Sequence, residues 1–164
     1  MVKGKEKSSL EEMKKEYEKF KIKHSLPEFE KLNEDFYIER ASDVETDLLL
    51  REIRKFIADR YSNYMRFVEV ILNPVNAPMF IYSLIKLLGK EDKKHLEEIY
   101  KKFMEIEVKL IELDISYSEE KEAEFIKKAF VEWQEIKVFI LKIVDTIQKN
   151  KGNKFEKSNG GYFG

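Results

Sequence analysis

The chain has 164 residues, 38% of them charged and 43% apolar, a balance that suits one domain with a buried core and argues against wholesale disorder. Of its six glycines only Gly89 lies between residues 5 and 151, so the glycine-rich loops that cradle phosphates, dinucleotides or an exposed nucleophilic serine are missing. With no cysteine and a net charge of −1, disulfides, thiolate nucleophiles, iron–sulfur clusters and Cys-ligated zinc are excluded, and bulk attraction to a polyanion is weak.

In chain order, Ser9-Leu-Glu-Glu12 has the form of a capping box, in which the serine hydroxyl and the glutamate satisfy free N–H groups at a helix start. Leu10, Met13, Tyr17 and Phe20 follow at spacings of three and four, a narrow apolar stripe expected to dock on the body of the protein. Ser25-Leu-Pro-Glu28 marks a new start, and 27–33 is predicted as one short helix. Residues 36–41 read as a connector. Ser42-Asp-Val-Glu45 is a second capping box, followed by a long helix with Leu49, Ile53, Phe56, Ile57, Tyr61, Tyr64, Phe67, Val68 and Ile71 on its core face.

Two prolines in Asn73-Pro-Val-Asn-Ala-Pro78 break that helix. Residues 79–88 are apolar on most sides and are predicted as a short, centrally buried helix, with Gly89 as a left-handed stop. Asp92 opens the next helix, whose core face is Leu96, Ile99, Phe103, Ile106, Leu110 and Leu113. Ser116-Tyr-Ser-Glu119 is a third capping box. The last helix runs to about residue 149 with Ile126, Phe130, Trp133, Ile140, Val144 and Ile147 inward. No run of alternating apolar residues supports a strand. The fold class is all-α: an up–down bundle of three long helices with a short buried helix and N-terminal helices.

Charge divides the chain into three parts. Residues 1–24 carry 8 Lys and 5 Glu, residues 25–148 carry 19 basic and 26 acidic side chains, and residues 149–164 carry 4 Lys and 1 Glu. The expected organisation is a basic N-terminal helix or arm (1–24), a bundle domain (25–149) and a flexible basic tail (150–164). That tail ends in Gly160-Gly161-Tyr162-Phe163-Gly164. Tyr162 and Phe163 have the form of aromatic anchors on a glycine leash, and are the candidate partner-binding residues.

Few residues suit chemistry. The two histidines, His24 and His95, lack the paired Glu-x-x-His units of di-metal bundles and read as surface residues. Asp43, Glu45 and Asp47 imitate an EF-hand loop, but Leu48 stands where glycine is required and Arg54 where the closing glutamate belongs. The acids between residues 28 and 47 therefore read as a solvated patch. No metal, cofactor or catalytic set is expected.

The charged N-terminal residues do not resemble a secretory signal, and residues 79–88 are too short to cross a bilayer, so a cytoplasmic protein is expected. Lysine (26) and glutamate (25) far outnumber glutamine (2), a bias shared by heat-adapted proteins and AT-rich genomes. The functional expectation is a non-enzymatic protein–protein interaction module, an adaptor or assembly subunit. The alternative is an RNA- or ribosome-associated protein that contacts phosphates through Lys14, Lys15, Lys21, Arg51 and Arg54.

Overall fold

A computed structural model describes the backbone of residues 2–159 and the side chains of residues 9–151. Six α-helices follow in order: α1 (Val2–His24), α2 (Phe29–Phe36), α3 (Leu49–Leu72), α4 (Met79–Ile85), α5 (Lys90–Ile115) and α6 (Glu119–Asn159), with a 3-10 segment at Ile38–Asp43. No strand occurs among the described residues. The molecule is an all-α bundle whose residues form two compact units. One comprises Met1–Asn63 with Met104–Glu132, the other Tyr64–Phe103 with Trp133–Gly164.

In the first unit α1 is part of the packed structure. Met13 and Tyr17 are buried, and the Tyr17 hydroxyl donates to the Pro27 carbonyl at 2.7 Å while its ring meets Phe29 edge-on at 5.5 Å. Burial raises the Tyr17 phenol far above its ordinary pKa, which keeps it a neutral donor. The helix begins before Ser9, so that residue caps nothing; its hydroxyl donates instead to the Ser42 carbonyl. Ser25 and Tyr37, both at φ 55, reverse the chain after α1 and α2. Helix α2 occupies Phe29–Phe36, displaced from the expected 27–33, and buries Phe29, Leu32 and Phe36.

The long helix α3 starts later than Ser42 implies. Ser42 donates to Glu39 within the 3-10 segment, and the Thr46 hydroxyl accepts the Leu48 N–H at 3.0 Å just before the first helical residue. In this unit α3 buries Leu49, Leu50, Ile53, Ile57 and Tyr61, α5 buries Ile106, Leu110 and Leu113, and α6 buries Ala123, Ile126 and Ala129. The Tyr61 hydroxyl donates to the Ala129 carbonyl at 2.6 Å inside this core, and burial raises its pKa as well. The cap of α6 is Ser118, not Ser116: its Oγ accepts the Lys121 N–H at 3.4 Å, because α5 runs on to Ile115 and leaves only three residues for the turn.

In the second unit α3 contributes Val68 and Ile71, α5 Leu96, Ile99 and Phe103, and α6 Trp133, Ile136, Ile140 and Ile143. Tyr64 meets Trp133 edge-on at 5.2 Å. The proline break ends α3 as expected, and the Tyr82 hydroxyl donates back to the Pro74 carbonyl at 2.7 Å. Helix α4, however, is not buried: only Ile81 is, while Met79 and Phe80 are 81% and 62% exposed. Seven residues make barely two turns, so Ile81 with half-buried Leu84 and Ile85 pins the helix while Met79, Phe80 and Tyr82 face outward. Gly89 is not a left-handed stop either. Its φ is not positive, and its N–H donates to the Asp92 carboxylate at 2.9 Å, which makes it the N-terminal cap of α5.

Helix α6 continues past the expected boundary at 149 to Asn159. The Asn150 amide donates to the Leu87 carbonyl at 2.7 Å, which holds the helix where a tail was expected to begin. Residues 160–164, with Tyr162 and Phe163, lie outside the described residues. Among the described residues no helix is long and apolar enough to cross a membrane.

The contrast between α3 and α4 is testable by urea denaturation. Ile53→Ala should lower stability by about 2–5 kcal/mol by opening a cavity in the core. Phe80→Ser should change it by less than about 0.5 kcal/mol, since no packed neighbour is lost; a loss comparable to that of Ile53→Ala would contradict the exposed position of α4.

Candidate partner-binding surface

Helix α5 has two apolar faces. One is the core face already described. The other is formed by Met104, Val108, Ile111 and Ile115, which are 50%, 67%, 63% and 81% exposed. Their spacings of four, three and four are those of a coiled-coil seam. At about 100° per residue this seam lies well over a quarter-turn from the side that buries Ile106, Leu110 and Leu113. Single exposed apolar side chains are ordinary on a protein surface. Four in register along three turns of one continuous helix form a contiguous patch. Other exposed apolar groups are less continuous: on α6 Val131, Val138, Leu141 and Val144 are exposed, but Gln134 and Glu135 interrupt the row after Val131 and Val144 is only 39% exposed, and Met79 and Phe80 are adjacent on α4.

Carboxylates border the seam on both sides. Glu107 accepts a hydrogen bond from the Ser62 hydroxyl at 2.8 Å. Asp114 accepts from the Arg54 guanidinium at 2.7 Å, and its carbonyl lies 3.5 Å from Arg51. On the opposite border Glu105 is exposed, and Glu112 lies between Lys109 at 2.8 Å and Lys121 at 3.0 Å. Hydrogen bonds from those two lysines hold the Glu112 carboxyl below its ordinary pKa.

Arg54 also reaches inward. Its Nε is 2.8 Å from Glu122 Oε2, with Arg54 3% and Glu122 0% exposed. Neither Glu122 oxygen has a hydrogen bond of good geometry among the described residues, and the short Nε–Oε2 contact is a charge contact. Burial therefore outweighs the attraction of Arg54 and raises the Glu122 carboxyl above the usual carboxylate range. The three-residue link between α3, the end of α5 and the first turn of α6 anchors the part of α5 that carries Ile111 and Ile115.

Of the residues singled out for phosphate contact, the structure brings few to a free surface. Arg54 is buried and taken by two carboxylates, so no phosphate can reach it. Lys21 sits 2.9 Å from both Glu18 and Glu28. Lys14 lies over the Phe29 ring at 4.9 Å and 3.6 Å from Glu30. Lys15 is exposed, and Arg51 is half-buried against Asp114. These groups do not form one basic face, and carboxylates stand beside most of them. His24 is 2.6 Å from Glu119 Oε1, which Lys23 also reaches at 2.6 Å; hydrogen bonds from Lys23 and then His24 lower the Glu119 pKa. The His95 ring packs against Phe139 at 5.2 Å. Among the described residues no group of three or more histidines and carboxylates is arranged to hold a metal ion.

Compared with known proteins, the chain matches no family model, no curated protein and no solved structure. The α5 seam was readable in principle, since its four-three-four spacing is in the sequence. It was hidden because the core face of the same helix has the same periodicity and absorbs the signal.

The buried ion pair makes two predictions. Arg54→Met alone should cost about 3–5 kcal/mol, because Glu122 is left buried without a cation, and Arg54→Met with Glu122→Leu should recover most of that loss. Denaturation midpoints of the single and double variants decide this, and additive losses would contradict it. Because the folded state holds the Glu122 proton to a higher pH than the unfolded chain does, this group favours folding most below the ordinary carboxylate pKa. That contribution is lost as pH rises through the raised folded value. Relative to Glu122→Gln, the natural protein should therefore lose stability across that window; a parallel pH profile would contradict the assignment.

Proposed function

We propose that the chain is a non-enzymatic protein–protein interaction module, an adaptor or assembly subunit, that docks a partner on the outer face of α5. The observation that carries this reading is the solvent-facing row Met104, Val108, Ile111 and Ile115 on a helix already anchored through its opposite side. Leaving four large apolar groups in water forgoes burial free energy of about 1.5–3 kcal/mol each, which an interface would recover in part. Tyr162 and Phe163 join the proposal on sequence grounds, as aromatic anchors that a partner would bury. A cytoplasmic setting is part of the same proposal and rests on the cysteine-free composition.

The RNA- or ribosome-associated reading is the weaker one. Its strongest arginine, Arg54, is sequestered, and the exposed apolar row is bordered by acids that repel phosphate.

The test is affinity purification of the tagged natural protein beside Val108→Asp/Ile111→Asp, with mass spectrometry and melting curves on the same preparations. Both positions are exposed, so the double variant should keep its stability within about 0.5 kcal/mol. A stoichiometric partner should be recovered with the natural protein and lost with the variant. Identical recovery from both would overturn the assignment of this surface.

A further inference from the structure

The seam has a chemistry of its own, and it restricts what can cover it. In heptad terms Val108 and Ile115 occupy a positions and Met104 and Ile111 occupy d positions. The flanking e positions are then Glu105 and Glu112, and the g positions Glu107 and Asp114. All four are carboxylates. Across residues 103–120 six carboxylates (Glu105, Glu107, Glu112, Asp114, Glu119, Glu120) accompany one basic residue, Lys109.

Resting on the reading of α5 as a docking surface, we propose that its occupant is an amphipathic helix of another protein whose apolar row is bordered by Lys and Arg. Local cations temper the acidic border without removing it. Arg54 lies against Asp114, and Lys109 and Lys121 lie against Glu112. Among the described residues no ion pair engages Glu105 or Glu107, and Glu107 takes only the Ser62 hydroxyl. Basic side chains at the partner's flanking positions would meet these acids as they would in a coiled coil, adding register and a salt-dependent rate of encounter.

A second copy of this chain does not fit. A parallel self-pair sets g against e, and an antiparallel one sets like positions against each other. Either arrangement faces carboxylate with carboxylate, a pairing that interfaces use to reject partners. The seam is also bounded. The preceding a and d positions are Lys101 and Glu97, and the next d position is Ser118, the cap of α6. From Met104 to Ile115 the row is roughly 17 Å long at 1.5 Å per residue, which matches about two heptads of partner helix. A peptide of that length is marginally helical alone, so it would fold on the surface as it binds.

The test uses the full chain and two labelled peptides of about two heptads with Ile at a and Leu at d, one with Lys and the other with Glu at e and g. Fluorescence anisotropy should show the Lys-flanked peptide binding about tenfold or more tightly than the Glu-flanked one, with the gap closing as salt rises. Glu105→Lys/Glu107→Lys should reverse the preference, and Ile111→Asp should abolish binding of both. Equal affinity for the two peptides would overturn the basic-flank inference while leaving the surface an interface. Binding of neither would overturn both. A dimer in sedimentation that Val108→Asp/Ile111→Asp dissociates would assign the seam to a second copy and overturn the proposal.

Discussion

A guanidinium cannot be taken out of water without anionic partners close by, and that requirement organises one end of the first unit. Arg54 projects from α3 into a site where only 3% of its side chain remains exposed, and it is met there by Asp114 from α5 and Glu122 from α6. Three helices are thereby registered against one another by groups that tolerate little displacement. Glu122 is completely buried and its Oε2 lies 2.8 Å from Arg54 Nε without hydrogen-bond geometry, so the arrangement is balanced between charge attraction and desolvation. In the same unit Ile53, Ile57, Leu110, Leu113 and Ile126 are buried and supply apolar area removed from water. The pair gives orientation; the aliphatic groups give most of the stability.

The fixed orientation explains why α5 can carry a second apolar face. A helix packed loosely would roll to bury Val108, Ile111 and Ile115. With Asp114 held by Arg54, Glu107 by Ser62 and Glu112 by Lys121, both borders of the row are tied to neighbouring helices. The row is left pointing outward. Its acidic edges then serve two ends, anchoring α5 to α3 and α6 and presenting negative charge to whatever approaches.

Much of this was legible in the sequence. The all-helical class followed from apolar residues at spacings of three and four and from the absence of alternating runs, and the core face of α5 corresponds residue by residue to what is buried. On α3 the match is partial, since Phe56, Tyr64 and Phe67 are only half-buried while Leu50 is buried, and on α6 Val144, expected inward, is exposed and Ile136 and Ile143 are buried instead. Helix boundaries were harder, because serines at 9, 42 and 116 have the right neighbours for caps, while the structure uses Thr46, Gly89 and Ser118 near the starts of α3, α5 and α6. Local chemistry offers several caps, and tertiary packing selects among them. Helix α4 was misread as buried because apolar composition does not report whether neighbours exist to cover a helix of two turns. Arg54 was misread as a phosphate ligand for the converse reason: its carboxylate partners are 60 and 68 residues away in sequence.

What the outer face of α5 is proposed to hold is a basic, amphipathic helix of another protein. The most direct test of this docking places a photo-crosslinking amino acid at position 111 of the full chain in its native host and identifies the attached peptide by mass spectrometry. One predominant crosslinked protein is expected, joined through a helical segment with apolar residues at heptad spacing and Lys or Arg beside them. Adducts only to this chain itself, or a diffuse set of proteins without such a segment, would contradict the proposal.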